Sequence, residues 1–245
     1  MIHCPVCNEV AEVLDTLDFN KSCEGDVLPE SGTQYAYCLC DACGFCFCPE
    51  IAAWPKALFE KHIYNADYAL VDPDYVRDRP AANAVYLSAL LGKHGKRIKH
   101  LDYGGGGGAL VRSLRGTGWK STSYDPFVDK ALPAEQFDFI TAFEVFEHVP
   151  DPQALMVEIR SLLAPDGVVL FSTLVSDGCV SRGNKLDWWY AAPRNGHISL
   201  FSQRSLYLLA EQHGLKLASY GRTTHIMYTT LPDWFAPNVT HKENN

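Results

Sequence analysis

The chain has 245 residues, 47% hydrophobic and 20% charged, with a formal net charge of −8. That length accommodates one doubly wound α/β domain with a small appendage, and the absence of any long apolar run argues against a membrane partner. The acidic balance counts against a broad phosphate-binding face, so nucleic acid is not the expected partner.

The chain begins Met1-Ile2-His3-Cys4, without the basic region and apolar segment of a secretory leader, so a cytoplasmic location is expected. In that compartment the nine cysteines are expected to be thiols or metal ligands rather than disulfides. Cys4-Pro5-Val6-Cys7 and Cys40-Asp41-Ala42-Cys43 are two C-x-x-C pairs, and Gly44 eases the turn after the second. Two such knuckles place Cys4, Cys7, Cys40 and Cys43 to hold one tetrahedral zinc, a closed four-thiolate site of structural type. Cys46 offers an alternative partner for Cys43. Cys23, Cys38, Cys46, Cys48 and Cys179 otherwise read as ordinary thiols. Residues 1–50 are therefore expected to form a zinc-ribbon-like module. The turn-rich excursion Asn20–Gly25 and Leu28–Gly32 between its knuckles reads as a surface loop.

Residues 51–95 change to helical spacing and are expected to form a helical cap or linker. Leu58, Phe59, Ile63 and Tyr64 predict one helix, and Ala82, Val85, Tyr86, Ala89 and Leu90 predict the buried face of another.

Ile98 to Ala109 reads as a strand (98–103), then Gly104 to Gly108, then a helix (109–117). Five consecutive glycines are costly to order, so the run implies unusual dihedrals or a ligand held close to the backbone. A strand that ends in a glycine turn and feeds a helix presents unpaired N–H groups to such a ligand. A phosphate-binding P-loop is excluded because no Gly-Lys-Ser/Thr follows. A second strand-like run, Lys120 to Tyr124, delivers Asp125 where a ribose diol could hydrogen-bond. Strands are then predicted at 137–142, 167–174, 215–221 and near 224–230, with helices at 151–163 and 203–213. This alternation over residues 96–236 argues for a mostly parallel sheet covered on both faces. Residues 237–245 read as a polar tail.

The stretch L-D-Y-G-G-G-G-G resembles the first motif of class I S-adenosylmethionine-dependent methyltransferases, D-x-G-x-G-x-G after a hydrophobic residue. The resemblance implies a Rossmann-like α/β fold with a seven-strand-type sheet and S-adenosyl-L-methionine as cofactor. It implies cofactor-binding roles for Asp102, Gly104, Gly106, Gly108 and Asp125. Only eleven residues separate Asp125 from Phe137, so the family's third strand is expected to be short or missing. Phe127 is then the candidate to pack near the base. Helices ahead of the first strand cap the cofactor cleft in this family, which makes Tyr64, Tyr68 and Arg79 candidate pocket residues.

Phe137 to Pro152 resembles the fourth-strand motif of small-molecule methyltransferases and brings Glu144, a further cofactor-binding candidate, to the carboxyl edge of the sheet. Asp151-Pro152 is an N-cap followed by proline at the first turn. Glu144, Glu147, His148 and the distant His197 are the catalytic candidates. Two carboxylates and two imidazoles can hold a second divalent metal, as in small-RNA 3′-end 2′-O-methyltransferases and ubiquinone-pathway O-methyltransferases. Alternatively, G-H-I-S-L-F-S is similar to the E-H-I-x-Y-F-S segment of zinc-containing sugar C-methyltransferases, whose histidine there acts as a general base. This chain has Gly196 in place of the acid and lacks that family's long C-terminal half. Leu186 to Arg194 reads as a lid over the acceptor, with Trp188, Trp189 and Tyr190 as its wall and Arg194 as an anion clamp. A hydrophobic plug at the core edge fits the two tryptophans equally.

The expected activity is transfer of the cofactor's methyl group to an oxygen or carbon of a small molecule such as a sugar or secondary metabolite. Two other classes remain: an RNA 2′-O-methyltransferase, which a basic, aromatic face on the ribbon would favour, and a non-catalytic cofactor-binding scaffold. The oligomeric state is left open by the sequence.

Overall fold

The computed structural model describes residues 1–25 and 27–236; the polar tail read at 237–245 lies outside the described residues. The chain opens with β1 (Ile2–His3), β2 (Val10–Asp18), β3 (Gln34–Leu39) and β4 (Cys46–Phe47). Four helices follow, α1 (Pro49–Ala52), α2 (Lys56–His62), α3 (Tyr68–Val71) and α4 (Asp78–Leu91). The next elements are β5 (Lys99–Tyr103), α5 (Ala109–Gly116), β6 (Lys120–Tyr124), β7 (Phe137–Phe143), α6 (Pro152–Leu162) and β8 (Leu163–Ser172). After β9 (Ser199–Leu200) come α7 (Gln203–Gln212), β10 (Lys216–Tyr220) and β11 (Thr224–Tyr228).

The main sheet has six strands in the order β10-β11-β8-β7-β5-β6. Its β6, β5, β7 and β8 run parallel, and β11 and β10 close the other end antiparallel. Among the described residues no strand lies outside β6, in keeping with the short Asp125–Phe137 interval. The central strands are nearly all apolar because helices cover both faces: Phe139, Ile140, Val168, Val169 and Phe171 are all fully buried. Helix α6 begins as its sequence demands. The Asp151 carboxylate accepts from the amides of Gln153 (2.9 Å) and Ala154 (3.1 Å), and Leu155, Met156, Ile159 and Leu162 make its buried stripe.

The second sheet has five strands in the order β1-β2-β3-β4-β9. Its last strand comes from far along the chain: Ser199 and Leu200 pair with Phe47 and Cys46. Cys4, Cys40, Cys43, Phe45 and Phe47 share one buried cluster with Leu155, Phe171 and Phe201, so part of the N-terminal sheet packs into the core of the main domain, while its Leu17, Tyr37, Leu39 and Cys46 pack in a second cluster with α1 to α3 and residues 186–200.

Two expectations need correction. Helix α4 exists, but the face read as buried is the outer one: Val85 is 72% exposed and Tyr86 42%, while Ala84, Leu87 and Leu91 point inward. From Ala81 to Leu91 every residue except Asn83 and Ser88 is apolar or aromatic, so two helical stripes compete, and packing against Leu110 and Leu114 of α5 selects the second. The excursion after β2 is also more than a surface loop. Lys21 donates from Nζ to the Trp188 and Ala191 carbonyls, and the Cys23 amide donates to Asn195 Oδ1 at 2.9 Å, which fastens the loop to residues 188–195.

Candidate active site

Chain order reverses at β5, which has β6 on one side and β7 on the other; the crevice above their carboxyl ends is where open α/β sheets take ligands. β5 delivers Asp102 there, 4% exposed. Its Oδ1 accepts from Thr141 Oγ1 at 2.9 Å, and the same hydroxyl lies 2.9 Å from His100 Nε2, whose Nδ1 is 2.9 Å from Ser121 Oγ. Burial pushes Asp102 up to about 7 and holds His100 down at about 3.

Gly104, Gly106 and Gly108 all adopt positive φ, and the Gly104 and Gly105 amides donate to the Tyr124 carbonyl at 2.8 and 3.1 Å. Gly105, which the motif leaves unassigned, is fixed by close approach instead, because a Cβ there would collide with Ser123 Oγ and Asp102. A Cβ on Gly106 or Gly107 would meet nothing within 4 Å, so these two face open space. Asp125, at the end of β6, accepts from the Gly106 amide (2.9 Å) and the Phe127 amide (2.8 Å), joining the loop to the second strand end.

That open space is a cavity of about 590 Å³. Asp102, Gly104, Gly106 and Asp125 line one part; Glu144 and His148 line another; Tyr64, Tyr68 and Arg79 wall it from the helical segment, joined by Phe127 from beyond β6. The aromatic wall is continuous: Tyr64 packs edge-on to Phe127 at 4.9 Å between ring centroids, and Tyr68 lies 5.4 Å from Tyr64. Asp72 and Tyr75 also line it, and Asp72 holds Arg79 by a bidentate pair of 3.0 and 2.7 Å. Gly108 caps α5 in the left-handed conformation and does not line the cavity.

Glu144 closes β7 with φ +53°, a strained value for a residue with a side chain. Ser172 on neighbouring β8 holds it, accepting from the Glu144 amide (2.9 Å) and donating to Oε1 (2.6 Å). The next turn carries Glu147, fully buried, and His148. Tyr190 donates to Glu147 Oε1 at 2.6 Å, and burial, with Glu144 nearby, pushes the Glu147 carboxyl well up. His197 stands behind His148 with ring centroids 4.8 Å apart. Its Nδ1 lies 2.8 Å from the Tyr190 carbonyl, which can only accept, so Nδ1 carries the proton and Nε2 keeps its lone pair. Burial pushes both histidines down, favouring neutral rings. One ligand atom from each of Glu147, His148 and His197 falls within a 4.8 Å group; Glu144, expected to join them, does not, because Ser172 ties it down.

The expected lid is placed elsewhere. Trp188, Trp189, Tyr190 and Arg194 do not line the cavity. Trp188 is 7% exposed and packs in the cluster that the N-terminal sheet shares with α1 to α3, Trp189 is 55% exposed, and Tyr190 faces Glu147. Arg194, 3% exposed, donates to the Ile63 carbonyl and to Asn65 Oδ1, both at 3.0 Å, which leaves no clamp for an anion. His197 also backs the cavity wall rather than forming it. Ser172, Asp72 and Tyr75 were missed as site residues; only the last two carried a signal, in the aromatic, charged link after α3.

The four knuckle cysteines converge where the β1–β2 and β3–β4 connections meet. Cys4 Sγ lies 3.6 Å from Cys43 Sγ, Cys7 Sγ lies 3.5 Å from Cys40 Sγ, and all four sulfurs fall within a 4.8 Å group. The donor set and spacing fit a four-thiolate zinc.

A family model described as a methyltransferase domain matches residues 75–220. The chain belongs to this family of S-adenosylmethionine-dependent methyltransferases. The ubiquinone biosynthesis O-methyltransferase of Salmonella paratyphi A is 33% identical over 113 residues, 36% of this chain and 46% of that protein. The enzyme of that name from Actinobacillus pleuropneumoniae is 45% identical over 58 residues, 23% of this chain and 25% of the other. These matches span less than half the length of either relative. An O-methyltransferase family protein from Burkholderia thailandensis superposes with a TM-score of 0.52 at 14% identity, over 75% of this chain and 67% of that one, a likeness of fold. No helix among the described residues is long and apolar enough to cross a membrane.

Proposed function

We propose that the protein methylates a hydroxyl oxygen of a small-molecule acceptor, with His148 as general base. The observation that carries this reading is one continuous cavity holding the glycine loop and Asp125 in one part and His148 in another. The glycine loop suits the cofactor, since Gly106 and Gly107 leave room for a ligand against bare backbone. Bound there, S-adenosylmethionine would supply a methyl group on a sulfonium and would be left as the neutral thioether. Asp125 would hold the ribose diol, and Phe127 would pack beside the base. The aromatic wall from Phe127 through Tyr64 to Tyr68 orients the acceptor and excludes water, so that its oxygen approaches in line. As the acceptor oxygen took that methyl, its hydroxyl proton would go to the neutral His148 ring. His197, its tautomer set by the Tyr190 carbonyl, holds that ring from behind. Enclosure by aromatic side chains and the net charge of −8 favour a small molecule over RNA.

A second reading has its own observation. Glu147 Oε2 and His148 Nδ1 are buried without hydrogen-bond partners among the described residues, and with His197 Nε2 they would suit a divalent ion that lowers the acceptor's pKa. The zinc at the four cysteines is structural under either reading.

Calorimetry with S-adenosylhomocysteine tests the cofactor half. Asp125→Ala should weaken binding about tenfold or more, the worth of a charged hydrogen-bond pair. His148→Gln should retain that binding yet lose about a hundredfold in kcat on phenolic or sugar hydroxyls. Full turnover in His148→Gln would overturn the base. A requirement for magnesium or manganese that Glu147→Gln abolishes would favour the ion.

A further inference from the structure

The segment Trp188–Leu200 carries His197 yet has almost no regular structure of its own, only a single turn at Pro193–Asn195 and the two residues of β9. Its shape is therefore imposed by what surrounds it, and one side of that mould is the N-terminal sheet. The Tyr37 hydroxyl, on a fully buried side chain of β3, donates to the His197 carbonyl at 2.8 Å. The Cys48 amide donates to the Ile198 carbonyl at 2.9 Å, and β4 pairs with β9. On the near side Lys21 spans the Trp188 and Ala191 carbonyls, and Arg194 donates its amide back to the Lys21 carbonyl at 3.2 Å. From the main domain, Ser199 Oγ donates to the Val149 carbonyl at 2.7 Å, and the Ile198 amide to the Glu147 carbonyl at 2.9 Å. The histidine pair thus sits at the seam between the two sheets. At the seam's corner Gly196 has φ +86°, and a Cβ there would press on His148 Nδ1 at 3.2 Å, so the backbone just before His197 passes close to the His148 ring.

We infer that Tyr37 is a positioning residue: by holding the His197 carbonyl, the N-terminal sheet sets the ring that backs His148. This rests on the reading of His148 as the base. The contact lies on the acceptor side of the site, away from the glycine loop and Asp125, so its loss should disturb the histidines and leave the cofactor's binding alone.

The test uses full-length protein with 15N-labelled histidine, saturated with S-adenosylhomocysteine. Tyr37→Phe removes one oxygen and keeps the ring. Its affinity for S-adenosylhomocysteine should stay within about twofold of the parent, while the ring nitrogen signals of His197 and His148 move or split, as they would if the Nδ1–H bond to Tyr190 loosened. Unchanged ring signals would overturn the inference, and so would a fall in cofactor affinity as large as that of Asp125→Ala. Lys21→Met, on the other side of the segment, carries the same comparison should Tyr37→Phe not fold. The two ideas fail separately: full turnover in His148→Gln removes the base whatever the ring signals do, whereas unmoved ring signals remove Tyr37's role whatever the base.

Discussion

At the scale of single residues, the least expected feature is the chain of hydrogen bonds behind the glycine loop, Asp102 to Thr141 to His100 to Ser121. His100 is fully buried with both ring nitrogens paired to hydroxyls, and burial holds its pKa near 3 against an ordinary 6.5. Between those values the unfolded chain binds a proton that the folded one does not. The His100 contribution is therefore complete above pH 6.5 and is lost as pH falls toward 3. Asp102, raised by burial to about 7, acts in the opposite sense, its share being lost as pH rises through 7. Since Glu147 and the other buried histidines also contribute, a difference isolates His100. The stability gap between parent and His100→Gln, from urea unfolding, should be constant above pH 6.5 and narrow by on the order of 2–3 kcal/mol by pH 4.5. A gap independent of pH would contradict the assignment. The residues most legible in the sequence were those whose meaning is local: paired cysteines, a glycine run after a strand, an acid at the next strand end. His100 lies two positions before Asp102 and was not legible, because its partners come from β6 and β7, and only pairing of the strands brings them together.

At the scale of elements, α4 shows how a correct helix can carry a wrong face. The exposed Val85 and Tyr86 and the buried Leu87 and Leu91 belong to stripes that the sequence alone weighs equally, and α5 decides between them. Val85→Lys should change unfolding free energy by less than about 0.5 kcal/mol, whereas Leu87→Ala should cost about 2–5 kcal/mol. Reversed sizes, read from urea midpoints, would return the buried face to Val85. Helices α2, α5, α6 and α7 and the parallel strands were readable from periodicity and capping, whereas the single-turn helices α1 and α3 were not; Asp151-Pro152 opens α6 one residue inside the predicted start. β9 was not readable, since two residues have no period and their pairing with β4 is set by the fold around them. Arg194 failed for a related reason: the sequence announces a cation but not whether backbone carbonyls will occupy it.

At the scale of the whole molecule, the N-terminal sheet and the methyltransferase core share one buried cluster, so the cysteine site should govern more than its own knuckles. Purified protein is expected to contain about one zinc per chain by elemental analysis. Cys40→Ser, or stripping with a strong chelator, should lower the melting temperature by roughly 10 °C or more. Amide exchange should then rise in β9 as well as in β3 and β4. Protection in β9 that survives loss of the metal would mean that the two sheets are energetically separate.

The pairing of β4 with β9 also sets a timetable for biosynthesis. Phe47 waits for Ser199, so when the cysteine knuckles have left the ribosome the fifth strand of their sheet has yet to be made. Until then β4 presents a bare edge of buried-type residues, Cys46 and Phe47, to whatever is nearby. Closing so long a loop is slow by its nature, and the interval before it closes is when the nascent chain most needs shelter from other copies of itself.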